Sequence, residues 1–200
     1  MATVGRPPRT NREQIAAVAL DLFARDGFEA TSVAEIAAAV GVERRTIFRY
    51  FPSKNDMVWG DFDWVIERLR GHLEESGEEV PLLEALRRAA VLSNQYPEEE
   101  LPALRVRLAM ITTVPALQAH SMLRYAAWRQ AVAEWAARRR GEAPDDLAPE
   151  LIGHAALAAS MSAFNRWVQK PEEDLEGCLD EAYRLLGEGF PERAGGAGGG

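Results

Sequence analysis

Thr31-Ser32-Val33-Ala34-Glu35-Ile36-Ala37-Ala38-Ala39-Val40-Gly41-Val42-Glu43-Arg44-Arg45-Thr46-Ile47-Phe48-Arg49-Tyr50-Phe51 is the stretch that decides the fold. Ser32 and Glu35 stand in the Ser-x-x-Glu spacing of a capping box, in which the hydroxyl takes a first-turn N–H and the carboxylate reaches back to the cap. A short helix therefore starts there. Gly41 supplies the tight turn that ends it, and Glu43 to Phe48 form a second short helix with one cationic face and one aromatic face. This is a helix-turn-helix pattern, whose second helix can enter a DNA major groove.

Working outward, every periodic segment of the 200 residues runs at helical spacing, and no convincing alternating strand is found. A first helix spans about residues 10–26, capped by Thr10 or Asn11 and stopped by Gly27, with Ile15, Val18, Ala19, Leu22 and Phe23 on its apolar face. Pro52-Ser53 ends the third helix, and Ser53 can cap a fourth over 54–75. Further helices are expected near 81–94, 100–111, 115–139, 146–169 and 172–188, with Pro115 and Pro171 in first turns. The expectation is an all-α protein of about nine helices. Residues 1–54 form the helix-turn-helix domain with a basic arm, 55–190 a second helical domain, and 191–200 a disordered glycine-rich tail.

Composition narrows the class. With 47% apolar and 27% charged residues the chain reads as an ordinary soluble globular protein. No apolar run approaches the roughly 18–20 residues of a membrane span, and no secretion signal is legible at the N-terminus. Cys178 is the only cysteine, so no internal disulfide is available, which fits a reducing cytosol. On the apolar stripe of its helix, Cys178 reads as a small core residue. The net charge of −8 conceals a partition: residues 1–54 hold eight basic and six acidic side chains, while the remainder holds 15 and 25. A cationic module on an acidic body suits a DNA-facing domain whose body discourages non-specific sticking.

Within the helix-turn-helix, Val42, Ile47 and Phe51 can seal a core with Leu22 and Phe23. Arg44, Arg45, Thr46, Arg49 and Tyr50 are left outward. The first turn of the second helix is the part that reaches base edges, and arginine can bond both acceptors of guanine. Thr46 can touch a thymine methyl or a phosphate. Tyr50 and Lys54 are placed for phosphates, which position a protein without reading sequence. Thr31 and Ser32, at the start of the first of the two helices, and Arg6 and Arg9, on a Pro7-Pro8 arm, join the candidate DNA contacts. A solvated basic helix face explains the arginines less well, because cap, turn and the aromatic Phe48–Phe51 run occur together.

Thr31 through Lys54, with its Gly-Val turn and Phe-x-Ser-Lys exit, resembles the N-terminal domain of TetR-family repressors. The resemblance extends to one subgroup, the regulators of the mycofactocin system. It is carried by Gly5-Arg6-Pro7-Pro8, Arg44-Arg45-Thr46, Phe48-Arg49-Tyr50-Phe51-Pro52-Ser53-Lys54-Asn55-Asp56, Trp59-Gly60-Asp61-Phe62-Asp63 and Val114-Pro115-Ala116-Leu117-Gln118-Ala119-His120-Ser121. It implies a homodimer on a palindromic operator, with a small-molecule effector that changes the spacing of the two recognition helices. Two departures stand out. Phe48 occupies a position where the family usually has Tyr, and Glu43 a usual Ser position, which removes a helix cap and puts an anion near DNA, or near cytosine as an acceptor.

Two stripes in the second half serve equally, on the residues alone, as intrachain core or as a surface between copies. One is the small-residue ribbon of 151–168; the other is the heptad-like run of the last helix. The resemblance points to the dimer, with Ile152, Ala156, Ala159, Ala163, Trp167, Leu179 and Leu186 in the interface. An effector pocket needs apolar walls and a few polar groups. Trp59, Phe62, Trp64, Arg68, Arg105, Met110, His120, Tyr125, Trp128, Arg129 and an inward-facing Asn165 are the candidates. An acyl thioester such as an acyl-CoA suits aromatic walls with cationic edges, and TetR-type proteins often bind such compounds. No cofactor or metal is implied. His72, His120 and His154 lie far apart, and no His-Glu-x-x-His, Cys-x-x-Cys or Gly-x-Ser-x-Gly pattern occurs, which argues against an enzyme. The rival is a small-molecule-binding helical protein or helical enzyme that does not act on DNA.

Overall fold

The computed structural model describes residues 12–190. Among them lie ten α-helices and no strand: α1 Arg12–Asp26, α2 Val33–Val40, α3 Arg44–Tyr50, α4 Lys54–Trp59, α5 Phe62–Glu74, α6 Leu82–Leu92, α7 Leu101–Thr113, α8 Pro115–Arg140, α9 Leu147–Gln169 and α10 Leu175–Glu188. A 3-10 turn, Glu98–Glu100, leads into α7. No described helix is long and apolar enough to cross a membrane. Arg6, Arg9, the Thr10 or Asn11 cap and the 191–200 tail lie outside the described residues.

The chain forms two compact units. Among the described residues, the first takes Arg12–Phe62 together with Glu98–Ser121; the second takes Asp63–Pro97 and Met122–Phe190. Packing thus draws α7 and the start of α8 to the helix-turn-helix, where the linear reading put its boundary at residue 54.

In the first unit α1 packs on α2, α4 and α7, and α4 packs on α7. Being contacted from several sides widens and turns the buried face of α1. Ile15, Ala16, Ala19, Leu20 and Phe23 are buried, while the expected Val18 and Leu22 are only half-buried. Ile36, Ile47, Phe51, Met57 and Val58 complete the core, each 0% exposed. Removing these apolar surfaces from water is the main favourable term in building the unit.

The expected fourth helix, 54–75, is two helices. Gly60 takes φ +59° and ψ −129° between α4 and α5, a left-handed φ that glycine adopts without a Cβ penalty. Hence ten α-helices stand among the described residues where about nine were expected.

In the second unit α10 packs against α9 and α6. Tyr183 donates its hydroxyl to the Ala156 carbonyl (3.0 Å) and lies 2.8 Å from Ser160 Oγ, a fully buried polar network between α9 and α10. Pro115 opens α8 as expected. Pro171 does not open α10: it lies in the preceding turn, and the helix starts after Asp174, whose carboxylate accepts the Gly177 N–H. An Asp cap satisfies a first-turn N–H, which a proline cannot do. Cys178 is buried, and desolvation with the neighbouring Glu173 carboxylate pushes its thiol up to about 11.

Candidate nucleic-acid interface

The interface is built on α2 and α3. Ser32 Oγ accepts the Glu35 N–H (3.2 Å) and Glu35 Oε2 accepts the Ser32 N–H (2.7 Å), so the capping box forms as read. Hydrogen bonds from Ser32 to the carboxylate, from its backbone N–H first and then from its side chain, hold the Glu35 carboxyl below its usual range. Gly41 ends α2 at φ +78°, and the Val42 N–H closes on the Ala37 carbonyl at 2.9 Å. The chain then reverses into α3, which buries only Ile47.

On the outer side Arg44, Arg45, Phe48 and Arg49 are exposed, and Thr46 and Tyr50 half-exposed. Each arginine is held by a near neighbour in sequence. The Arg44 guanidinium lies 5.4 Å from the Phe48 ring centroid, and that of Arg49 5.2 Å from the Tyr50 ring. Arg45 forks onto the Glu43 carboxylate, Nε at 2.9 Å from Oε2 and Nη2 at 3.1 Å from Oε1. Glu43 makes no side-chain cap bond to α3.

Two expected DNA contacts point elsewhere. Thr31 is buried, and its hydroxyl donates to the Gly27 carbonyl at 2.9 Å. Lys54 Nζ donates to the carbonyls of Phe28 (2.7 Å) and Thr31 (3.2 Å) and lies 4.2 Å from the Phe28 ring centroid. An ammonium satisfying two backbone carbonyls ties α4 to the α1–α2 connection instead of reaching a phosphate. Ser32 stays exposed at the α2 start.

Arg12 was not among the candidates, yet it organises the element. Its Nη1 donates to the Tyr50 carbonyl (3.3 Å), its Nη2 to the Gly60 carbonyl (3.1 Å), and its guanidinium lies 4.8 Å from the buried Phe51 ring centroid. The partners lie 38 and 48 positions away, so no local signal marks it.

The effector candidates divide between the units. In the first, Trp59 meets Phe62 edge-on at 5.1 Å and His120 at 6.5 Å between ring centroids. His120 Nε2 is 3.1 Å from Oδ1 of the buried Asp56, whose Oδ2 accepts the Ser53 N–H and hydroxyl. Arg105 and Met110 are half-buried on α7. In the second unit Arg68 donates to the carbonyls of Leu92 and Gln95 and stacks on Trp64 and Tyr96, which makes it the clasp on the end of α6. Trp128 is buried, Arg129 half-buried, and burial drives the Tyr125 hydroxyl pKa far up. Trp64 is 52% exposed. Asn165 is exposed, not inward: the buried row of α9 runs Gly153, Ala156, Ser160, Ala163, Trp167, and Asn165 falls on the opposite face.

That row also corrects the expected interface. Ala156, Trp167 and Leu179 are at most 1% exposed within their own chain and belong to its core. Ile152 is half-buried. An open groove of about 290 Å³ runs instead along the next face, lined by Ala155, Ala158, Ala159, Ser162, Ala163 and Arg166 of α9 and Cys178, Glu181, Ala182, Leu185 and Leu186 of α10, with Phe190. Ala159, Ala163 and Leu186 of the expected set line it.

Among the described residues no group of three or more His, Cys, Asp or Glu side chains gathers as a metal site. Comparison with known proteins agrees with the helix-turn-helix. Residues 15–58 match the tetR family of bacterial regulatory proteins, and residues 80–191 match the MftR C-terminal domain. The chain is 38% identical over 187 residues, 94% of each chain, to the Mycobacterium tuberculosis regulator MftR, named for mycofactocin biosynthesis. It is 31% identical to the HTH-type transcriptional regulator TcmR of Streptomyces glaucescens, over 86% of this chain and 79% of that one. Its fold matches the Thermus thermophilus repressor FadR, crystallised with lauroyl-CoA, with a TM-score of 0.61 and 26% identity over 95% of this chain and 100% of that one. A capped, arginine-faced helix-turn-helix and matches over both halves of the chain lead to one conclusion: the protein is a transcriptional regulator of the TetR family, with a C-terminal domain of the MftR type.

Proposed function

We propose that this regulator binds an inverted-repeat operator as a homodimer through α3, represses mycofactocin-related genes, and answers to an acyl-CoA. The exposed arginine face of α3, fixed by the α2 capping box and the Gly41 turn, carries the DNA reading. Arg44, Arg45, Thr46 and Arg49 face the bases, while Tyr50 and the α2 start at Ser32 face phosphates. The α9–α10 groove supports the dimer: two helix faces of small and aliphatic residues form a seat for the same faces of a second copy, burying one self-complementary patch. The Trp59, Phe62 and His120 cluster, with Arg105 and Met110, supports the effector site, and the FadR–lauroyl-CoA likeness supports the ligand class.

A mobility-shift assay on the chain's own upstream region tests the reading. Arg44→Ala and Arg49→Ala should abolish binding with unchanged circular dichroism, and lauroyl-CoA should shift the bound fraction. Placing arginine at exposed Ala158 should give a monomer by light scattering and weaken binding with it. Absence of binding to any inverted repeat at low salt overturns the proposal.

A further inference from the structure

The Glu43–Arg45 fork lies exposed at the start of α3. Ser32 on α2, Ser53 on α4 and Asp174 on α10 each accept a first-turn N–H from the cap position. Glu43 holds the same position on α3 and leaves those donors alone, although a carboxylate there would gain from both the hydrogen bond and the helix dipole. It turns outward to Arg45 instead, with the two side chains 69% and 82% exposed. An ion pair so exposed adds little to folding.

We infer that Glu43 is a specificity-determining residue, which with Arg45 reads a cytosine and a guanine in the major groove. The inference rests on the DNA-binding role of α3 proposed above. Glutamate accepts from the cytosine N4 amine, and arginine spans guanine O6 and N7; a C·G pair displays both sets in the same groove. Carboxylate and guanidinium are already 2.9 Å apart, so both reach one such pair or two neighbouring ones without separating. On other sequences the carboxylate meets acceptor edges and phosphates that repel it, while Arg45 stays partly neutralised. Glu43 therefore lowers affinity for arbitrary DNA, a repulsive element that widens the gap between right and wrong sites.

The intact chain first selects an inverted repeat from random duplexes. Fluorescence anisotropy over a salt series then compares that repeat, a random duplex of equal length, and repeats with each C·G pair changed to T·A. Glu43→Ala should bind the random duplex about tenfold tighter, with a steeper salt dependence. Its specificity ratio should fall about tenfold, and discrimination at one C·G position per half-site should vanish, as it should in Arg45→Ala. Glu43→Gln, of the same shape, should share the gain on random DNA. If a repeat emerges but both Glu43 variants keep the parent's ratio and preference at every position, this inference fails alone. If no repeat emerges, the DNA-binding reading fails and takes this one with it.

Discussion

Arg12 on α1 and Gly60 at the α4–α5 break are joined by a hydrogen bond of 3.1 Å from Nη2 to the carbonyl, while the same guanidinium holds the last carbonyl of α3. The recognition helix is thereby tied to a residue remote in sequence. Gly60 is closed in on another side too: a Cβ there would meet the Arg107 guanidinium at 3.4 Å. Arg12→Ala should cost about 2 kcal/mol, the range of hydrogen bonds to a charged group. It should lower operator affinity without changing the salt slope, since the Arg12 guanidinium is taken up by the Tyr50 and Gly60 carbonyls. Thermal melts and a salt series read the two effects separately, and a shallower slope would recast Arg12 as a DNA contact.

Lys54 yields a sharper contrast, because its position suggests a phosphate contact and its partners do not. With Nζ on the Phe28 and Thr31 carbonyls, Lys54→Ala should lower the melting temperature by several degrees, the effect of one to two kilocalories in a domain of this size. The salt slope of DNA binding should stay put. Loss of about one unit of slope per half-site at constant stability would restore the phosphate role.

Gly153 brings α9 against α8 so closely that a Cβ would stand 2.8 Å from the Arg129 carbonyl oxygen. Alanine is the better helix former by about 1 kcal/mol, yet overpacking against fixed backbone costs about 1–3. Gly153→Ala should therefore be net destabilising in chemical denaturation. A stabilised variant would mean that the helices separate freely there.

Glu84 sets an acid limit. Hydrogen bonds from Arg87 first, then Arg88, lower its carboxyl from 4.5 to about 2. Arg87 also pairs with Asp180, so α6 is pinned to α10 at this point. A depressed folded pKa contributes stability that is complete above the unfolded value and lost as pH falls from about 4.5 toward 2. Glu84→Gln should flatten the pH dependence of the melting temperature across that window while lowering it at neutral pH. An unchanged slope would exclude the triad from acid unfolding.

Much of the recognition element is local chemistry and was legible. The Ser32–Glu35 box, the Gly41 turn and the outward arginines depend on residues three or four apart, where helical geometry alone decides what meets what. Periodicity also located most helix bodies, from α1 to α10, within a few residues. It failed at Gly60, because apolar spacing runs through α4 and α5 alike and only the backbone torsion interrupts it.

The linear chain by itself determined the all-helical class, the helix-turn-helix and the candidate residues for DNA contact. Tertiary structure decided which of them are available. Thr31 and Lys54 were withdrawn by carbonyls of the α1–α2 connection, and Arg12 was recruited across 48 positions. The small-residue ribbon on α9 was divided between an inner face and a groove one helical step away. A side chain's periodicity marks a face as apolar, but which neighbour covers that face depends on how separate helices pack. That packing involves partners that no window of sequence contains.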